Sequence, residues 1–566
     1  MSDSEQKSSK YKYFAGNLAL FTISNFVSKI LVFLLVPFYT NVLSTADYGI
    51  ADVMQTTLLL LVPALTINMG EAALRFGIDR SDKRNDILRI GIKYVIRACA
   101  FVAAACVVSC MFVKPDIRWY LFLFIFLFMT NSLYEFLILF FQGCEKVKIV
   151  VCGSVSSTLI LLVSNIVFLL VIKIGLNGYL LSQMLAFFTA SVLMLALGRK
   201  FMPDVISLSA GNTGSEGDAG CRYADKTNVK GIKEEKKEEI AEEINEDIKE
   251  EIRKEIRKEI REDIREDIRG EIKGDIKEGI KEETGADNKK EFERELTSYG
   301  IPMIAYSTGS WINNAADRYL VSLIKGVAVN GIYGVAYKIP AILTVFQRIF
   351  AQAWQMSATK SYEDDNSKEF FSTMYVVYNT FMVIGCSFLI LIVRLLAFLM
   401  FKKDFYEAWQ YVPPLLISVV FGAMTGFLGS ICLAYKDSKA MGFATGIGAA
   451  VNILLNIILI PKYSAMGAAI ATGISYFLMY FIAYIKVSKY VKLKIRLVRD
   501  YAAYLLLVIE AIIMIKGDIF KLTIVLQYIA ASVVLVVVLI IYSKDIVGIF
   551  RKLVKGFSLR RSCQRS

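Results

Sequence analysis

Long apolar runs separated by short polar stretches dominate the chain. A helix of about 20 predominantly apolar residues crosses a bilayer's hydrocarbon core. Runs of that kind lie near 14 to 38, 49 to 70, 88 to 113, 118 to 141, 149 to 172 and 178 to 198. A charged interval follows. The pattern resumes near 299 to 324, 332 to 356, 372 to 400, 411 to 434, 440 to 460, 465 to 486, 500 to 515 and 522 to 542. These runs predict an all-α polytopic membrane protein with about 14 transmembrane helices. Because six spans precede the interval, the second set enters the membrane in the same orientation. The expected organisation is an N-terminal six-helix lobe (1–203), a charged insert (204–296), a parallel six-helix lobe (297–488), and two further helices with a basic tail (489–566).

Composition narrows the class. At 55% hydrophobic residues over 566 positions and a mean hydropathy of +0.51, the chain is too apolar for a water-facing surface. With the N-terminus in the cytoplasm, the inside loops and tails, insert excluded, carry about 27 Lys and Arg against about 9 outside, which sets that orientation. Both termini are then cytoplasmic. The first apolar run follows Lys7, Lys10 and Lys12 but is too long for a signal peptide's core, so it is expected to stay as a helix. Nine cysteines form no CxxC pair, so no disulfide framework is implied. Histidine is absent, which removes the usual general base and the commonest transition-metal ligand. No catalytic residue, metal, cofactor or nucleic-acid partner is expected.

From Ile240 to Ile280 an isoleucine recurs every fourth residue among acids and bases. Four helical steps overshoot a turn by about 40°, so this stripe circles the helix and no single face is buried. Between 230 and 296 there are 18 Lys and Arg and 25 Asp and Glu, leaving 47 and 27 elsewhere. The net +13 is therefore −7 in this interval and +20 in the rest, a balance suited to anionic membrane lipid. The interval reads as a low-complexity expansion in a tolerant loop, or as a docking segment for a cytoplasmic partner.

Polar side chains recur inside the predicted spans. Ser310, Asn313, Asn314 and Asp317 stand at i, i+3, i+4 and i+7, hence on one helical face. The first span repeats the pattern with Asn17, Ser24, Asn25 and Ser28, with Lys29 at the edge; the second gathers Asp52, Gln55, Thr56, Pro63 and Thr66 in about a 100° sector. Arg89, Lys93 and Arg97 make an i, i+4, i+8 ladder, and Glu135, Lys338, Arg348, Arg394 and Glu510 lie in further spans. An ionisable group near the midplane costs at least a few kcal/mol, so it faces a cavity or a partner. The first, second and seventh spans are expected to line a wet interior. Interhelical hydrogen bonding, an Asp317–Arg318 pair, and snorkelling of Lys93 and Arg394 are the structural alternatives.

Two echoes point to internal duplication. "YGIADV" (48 to 53) opens the second span and "NGIYGVAYKIP" (330 to 340) the eighth; "NIVFLLVIKIGLNGYLLSQ" (165 to 183) precedes the sixth and "NIILIPKYSAMGAAIAT" (456 to 472) the twelfth. Parallel repeats of this kind place a substrate site near the midplane between lobes.

"GNLALFTISNFVSKILVFLLVPFYTNVLSTADYGIADV" (16 to 53) resembles the opening of Wzx-type oligosaccharide flippases, the polysaccharide-transport branch of the multidrug/oligosaccharidyl-lipid/polysaccharide (MOP) exporter superfamily. "SWINNAADRYLVSLIKGVAVNGIYGVAYKIP" (310 to 340) is similar to that family's junction between the seventh and eighth helices. The resemblance implies two lobes alternating access around a cationic cavity in the bacterial inner membrane, accepting a lipid-linked glycan carried on undecaprenyl pyrophosphate. It makes Asn25, Lys29, Arg97, Asn313, Asn314, Arg318, Lys338 and Arg348 substrate-binding candidates. With no GxxxxGK[ST] phosphate loop, coupling falls to a gradient, and Asp52, Glu135 and Asp317 are the ion-coupling candidates. Other polysaccharide-assembly proteins are implied partners through the insert. The last two helices resemble the additional pair of lipid II flippases. A cation-coupled multidrug antiporter of the same superfamily is the rival reading; a membrane enzyme of polysaccharide assembly fits less well, because the outside loops are short and histidine is missing.

Overall fold

The structure, a computed structural model, describes residues 35–201, 289–304, 307–361, 367–435, 437–517 and 521–563. Asn25 and Lys29, with the rest of the first polar stripe and most of the charged insert, lie outside the described residues. Among the described residues, 35–201 and those from 296 onward fall in one compact unit. That unit holds the helices on both sides of the insert and the last two helices.

The described residues are helical, with no strand among them. The segment before the insert, the expected N-terminal lobe, contains α1 (Val36–Val42), α2 (Thr45–Leu65), α3 (Met69–Asp79), α4 (Arg84–Ser109), α5 (Pro115–Gly143), α6 (Val147–Asn165) and α7 (Gly175–Phe201). The second lobe contains α8 (307–325), α9 (Val327–Ala336), α10 (Pro340–Ser361), α11 (Ser367–Leu391), α12 (Val393–Met400), α13 (Val412–Ala434) and α14 (Ser438–Val487). The additional pair is α15 (Leu497–Lys516) and α16 (Ile524–Cys563). Among the described residues nine helices are long and apolar enough to cross a membrane, or ten with a bent pair counted as one span.

Local chemistry fixes the element boundaries. Ser44 and Asp47 form a capping box at the start of α2: the Ser44 hydroxyl accepts from the Asp47 amide at 3.1 Å, and the Asp47 carboxylate accepts from the Ser44 amide at 3.3 Å. Near its other end α2 contains Pro63, and Ile67 and Asn68 then take left-handed conformations at φ 53° and 49°. Left-handed backbone is unfavourable for a β-branched residue such as isoleucine, so this is a strained break. The predicted span 49 to 70 therefore ends early, and α3 continues in a new direction. Likewise the predicted span 332 to 356 is two helices, Val327–Ala336 and Pro340–Ala351, bent by 53° at Pro340. A left-handed break at Ser464 divides α14 into the two predicted spans.

α13 is the axis of the second lobe: 83% of its span is buried, against 22% for α16, which presents most of its apolar surface outward. The additional pair is nevertheless keyed into that lobe by buried polar groups. Asn379 of α11 accepts from the Tyr504 hydroxyl at 2.7 Å and donates to Tyr542 Oη at 3.0 Å, and Tyr542 donates to Asp500 at 3.0 Å. Ser387 donates to Glu510 at 2.7 Å, and Arg394 donates to the Met514 carbonyl at 2.8 Å. In an apolar medium an unsatisfied polar group is expensive, so these partners fix how the helices dock.

Candidate functional site between the lobes

The two segments that echo each other in sequence pack directly together. A Cβ built on Gly49 of α2 would stand 2.0 Å from the Val327 carbonyl oxygen, and one on Gly331 of α9 would stand 1.9 Å from that of Thr45. Only glycine permits so close a crossing of backbones. α1 and the 3₁₀ segment Lys403–Tyr411 close over the same end: the Thr40 hydroxyl donates to the Met400 carbonyl at 2.9 Å, Lys403 Nζ donates to the Asn41 carbonyl at 2.7 Å, and Tyr48 meets Phe405 edge to face.

Behind this crossing sits an ion pair between lobes. Arg318 Nη1 of α8 donates to Asp52 Oδ1 of α2 at 2.7 Å, and Asn330 Nδ2 of α9 donates to Asp52 Oδ2 at 3.2 Å. Both carboxylate oxygens thus face donors from the other lobe. The guanidinium lies over the Tyr337 ring at 4.3 Å, a cation–π contact, and its Nε is buried without a partner. Trp311 Nε1 donates to the Thr56 carbonyl at 2.8 Å and Thr57 hydrogen-bonds to Tyr319, so α8 is tied along α2 for more than two turns.

Asp317 points elsewhere. Neighbouring positions on a helix diverge by about 100°, and the Asp317 carboxylate accepts from Tyr333 at 2.6 Å, Tyr337 at 2.7 Å and Thr472 at 3.3 Å. Its Oδ1 accepts from the Arg318 amide at 2.9 Å. Thr472 leads on to Asn452 and Asn456, both buried within α14. Asn313 donates to the Gly309 and Thr445 carbonyls, and Asn314 accepts from Tyr476 at 2.6 Å, so this part of the stripe binds α8 to its own lobe.

The remaining candidates are more scattered. Lys338 Nζ lies 6.0 Å from the Tyr48 ring, across the lobe boundary and beside a cluster in which Gln55 donates to Tyr179 and Asn165 donates to Tyr39. Glu135 is half-buried within α5, while Arg97 and Arg348 are exposed. The polar stripes of the sequence do not single out Asn330, Tyr333, Tyr337, Thr472 or Tyr476. Asn330, Tyr333 and Tyr337 do recur at i, i+3 and i+7, a signal masked by the glycines between them.

Residues 14–213 match the family described as polysaccharide biosynthesis protein. The lipid II flippase MurJ, in an inward closed conformation, is similar in structure at a TM-score of 0.59 and 14% identity, over 93% of this chain and 100% of that one. The likeness is one of fold, shared with both a flippase and multidrug transporters. An inward-facing multidrug resistance MATE transporter of the MOP superfamily gives a TM-score of 0.55 at 10% identity, over 82% of this chain and 95% of its own. A eukaryotic MATE transporter gives 0.50 at 12% identity, over 85% and 95%. Comparison with curated protein sequences gives no match. The structures that share this fold include a lipid II flippase and MATE transporters.

Proposed function

We propose that this protein is a flippase that moves a polyprenyl-pyrophosphate-linked oligosaccharide, a repeat unit of a cell-surface polysaccharide, from the inner to the outer leaflet by alternating access. The observation that carries the reading is Arg318: a guanidinium at the boundary between lobes, 4.3 Å over the Tyr337 ring and with its Nε donor left over. Planar guanidinium donors match phosphate oxygens and offset the desolvation of a pyrophosphate. Lys338, across from Tyr48, supplies a second cation at the same boundary. The match of 14–213 to a polysaccharide biosynthesis family supports the glycan class.

With both termini in the cytoplasm, the glycine crossing seals the outer side and the lobes part toward the inner leaflet. Asp317 and Glu135 are the ion-coupling candidates, and Asp52 serves the seal. The insert at 204–296 is a docking segment for other polysaccharide-assembly proteins at the inner membrane.

Deleting the gene and profiling lipid-linked glycans by mass spectrometry tests the reading. Accumulation of an undecaprenyl-pyrophosphate oligosaccharide on the cytoplasmic leaflet is expected. An unchanged lipid-linked pool with new sensitivity to cationic drugs favours the multidrug antiporter, the other function represented among proteins of this fold.

A further inference from the structure

Asp52 occupies a receptor built by the opposite lobe. Arg318 Nη1 and Asn330 Nδ2 each donate to one of its oxygens, at 2.7 and 3.2 Å. The carboxyl rests on Gly334, where an added Cβ would stand 2.8 Å from Asp52 Cγ. A cation, an amide donor and a bare stretch of backbone make a cradle for an oxyanion. Nothing in that chemistry selects a carboxylate over a phosphate.

The two partners are unequally accessible. The Arg318 side chain keeps 19% of its surface exposed and Asp52 only 8%. Arg318 is therefore the more accessible member of the pair. Arg318 also keeps a buried Nε with no partner, so it is incompletely satisfied by Asp52 alone. A phosphate can take two guanidinium donors at once.

From this geometry we infer that Asp52 is an internal stand-in for the substrate's phosphate: an incoming pyrophosphate takes over the Arg318–Asn330–Gly334 cradle, expels Asp52, and so unlatches the lobes at the glycine crossing. This rests on the flippase reading and adds to it the means by which cargo opens the far side. The latch and the binding site share one arginine. An empty transporter keeps its Asp52–Arg318 pair, and only an anion that can replace the carboxylate releases it. A ligand must favour the open form by about 100-fold to turn a mostly closed population into a mostly open one.

The test uses the full chain in nanodiscs, with its nine native cysteines replaced. Nitroxides at Asn41→Cys and Asp404→Cys flank the Lys403–Asn41 contact, and dipolar broadening between them reports closure. Samples carry no ligand, inorganic pyrophosphate, or undecaprenyl pyrophosphate, and native mass spectrometry reports whether the lipid is bound. The expected result is broadening that is lost when undecaprenyl pyrophosphate binds. In Asp52→Asn the broadening is already lost without ligand, while Asp52→Glu stays closed and responsive, which shows that the variant chain folds. A response to inorganic pyrophosphate as well means that the phosphate alone drives release; a response to the lipid alone means that the head group must arrive on its membrane anchor. Bound lipid with unchanged broadening in the parent overturns the exchange and leaves the flippase reading standing, as does an Asp52→Asn chain that stays closed. Failure of the lipid to bind overturns the flippase reading itself.

Discussion

The carbonyl oxygen of Thr45 lies where a side chain on Gly331 would have to be. With only 1.9 Å to a Cβ placed at that position, the two lobes approach as closely as helices can, and the ion pair behind them depends on that approach.

Gly331→Val is expected to hold the lobes apart at this end. Transport falls steeply, and the nitroxide pair at positions 41 and 404 loses its broadening without ligand. Gly426→Ala is the control, because a Cβ there meets nothing within 4 Å. As a helix-interior exchange it is expected to stabilise by about 0.5–1 kcal/mol.

Removing charge from the candidate cations should separate them. Arg318→Gln is expected to reduce flipping of a fluorescent lipid-linked glycan far more than Arg97→Gln or Arg348→Gln, both at exposed positions, or Lys489→Gln, also exposed. Equal losses at matched expression would remove the lobe boundary as the centre of substrate binding.

Tyr337 has two roles, donating to Asp317 and lying beneath Arg318. Tyr337→Phe keeps the ring and deletes the hydrogen bond, with an expected loss of about 1–3 kcal/mol if the carboxylate is left short of donors. Tyr337→Ala removes the ring as well, so the further fall in melting temperature reports the cation–π contact together with the cavity left behind.

Asn379→Ala removes the acceptor of Tyr504 and one of the two hydrogen bonds of Tyr542, and should lower thermal stability by about 1–3 kcal/mol. Limited proteolysis between α14 and α15 is expected to speed up in the same variant, because the additional pair is then less firmly docked.

Sequence periodicity reaches the architecture because a membrane span is a local property: length and apolarity alone place most of the helices. It also finds the polar face of α8. Pairing lies beyond it. Asp317 and Arg318 are neighbours in the chain, yet Arg318 pairs with Asp52, 266 positions away, while Asp317 is held by tyrosine hydroxyls. Arg97 and Arg348 lie on faces that do carry other polar residues, Arg89 and Lys93 for the one and Thr344 and Gln352 for the other, yet spacing along a helix does not say what such a face meets. Local backbone strain is equally hidden: nothing about Ile67 in the sequence announces a left-handed residue.

The docking of α15 and α16 through Asn379, Ser387 and Arg394 has a mechanical corollary. If the second lobe swings as the proposed flippase cycle requires, these two helices are expected to tilt with it, and α16 carries a broad outward apolar flank. Every swing of that lobe must then drag a patch of acyl chains with it. Bilayer thickness thereby enters the transport cycle as a load, since tilting against a mismatched hydrocarbon layer costs fractions of a kcal/mol per Å.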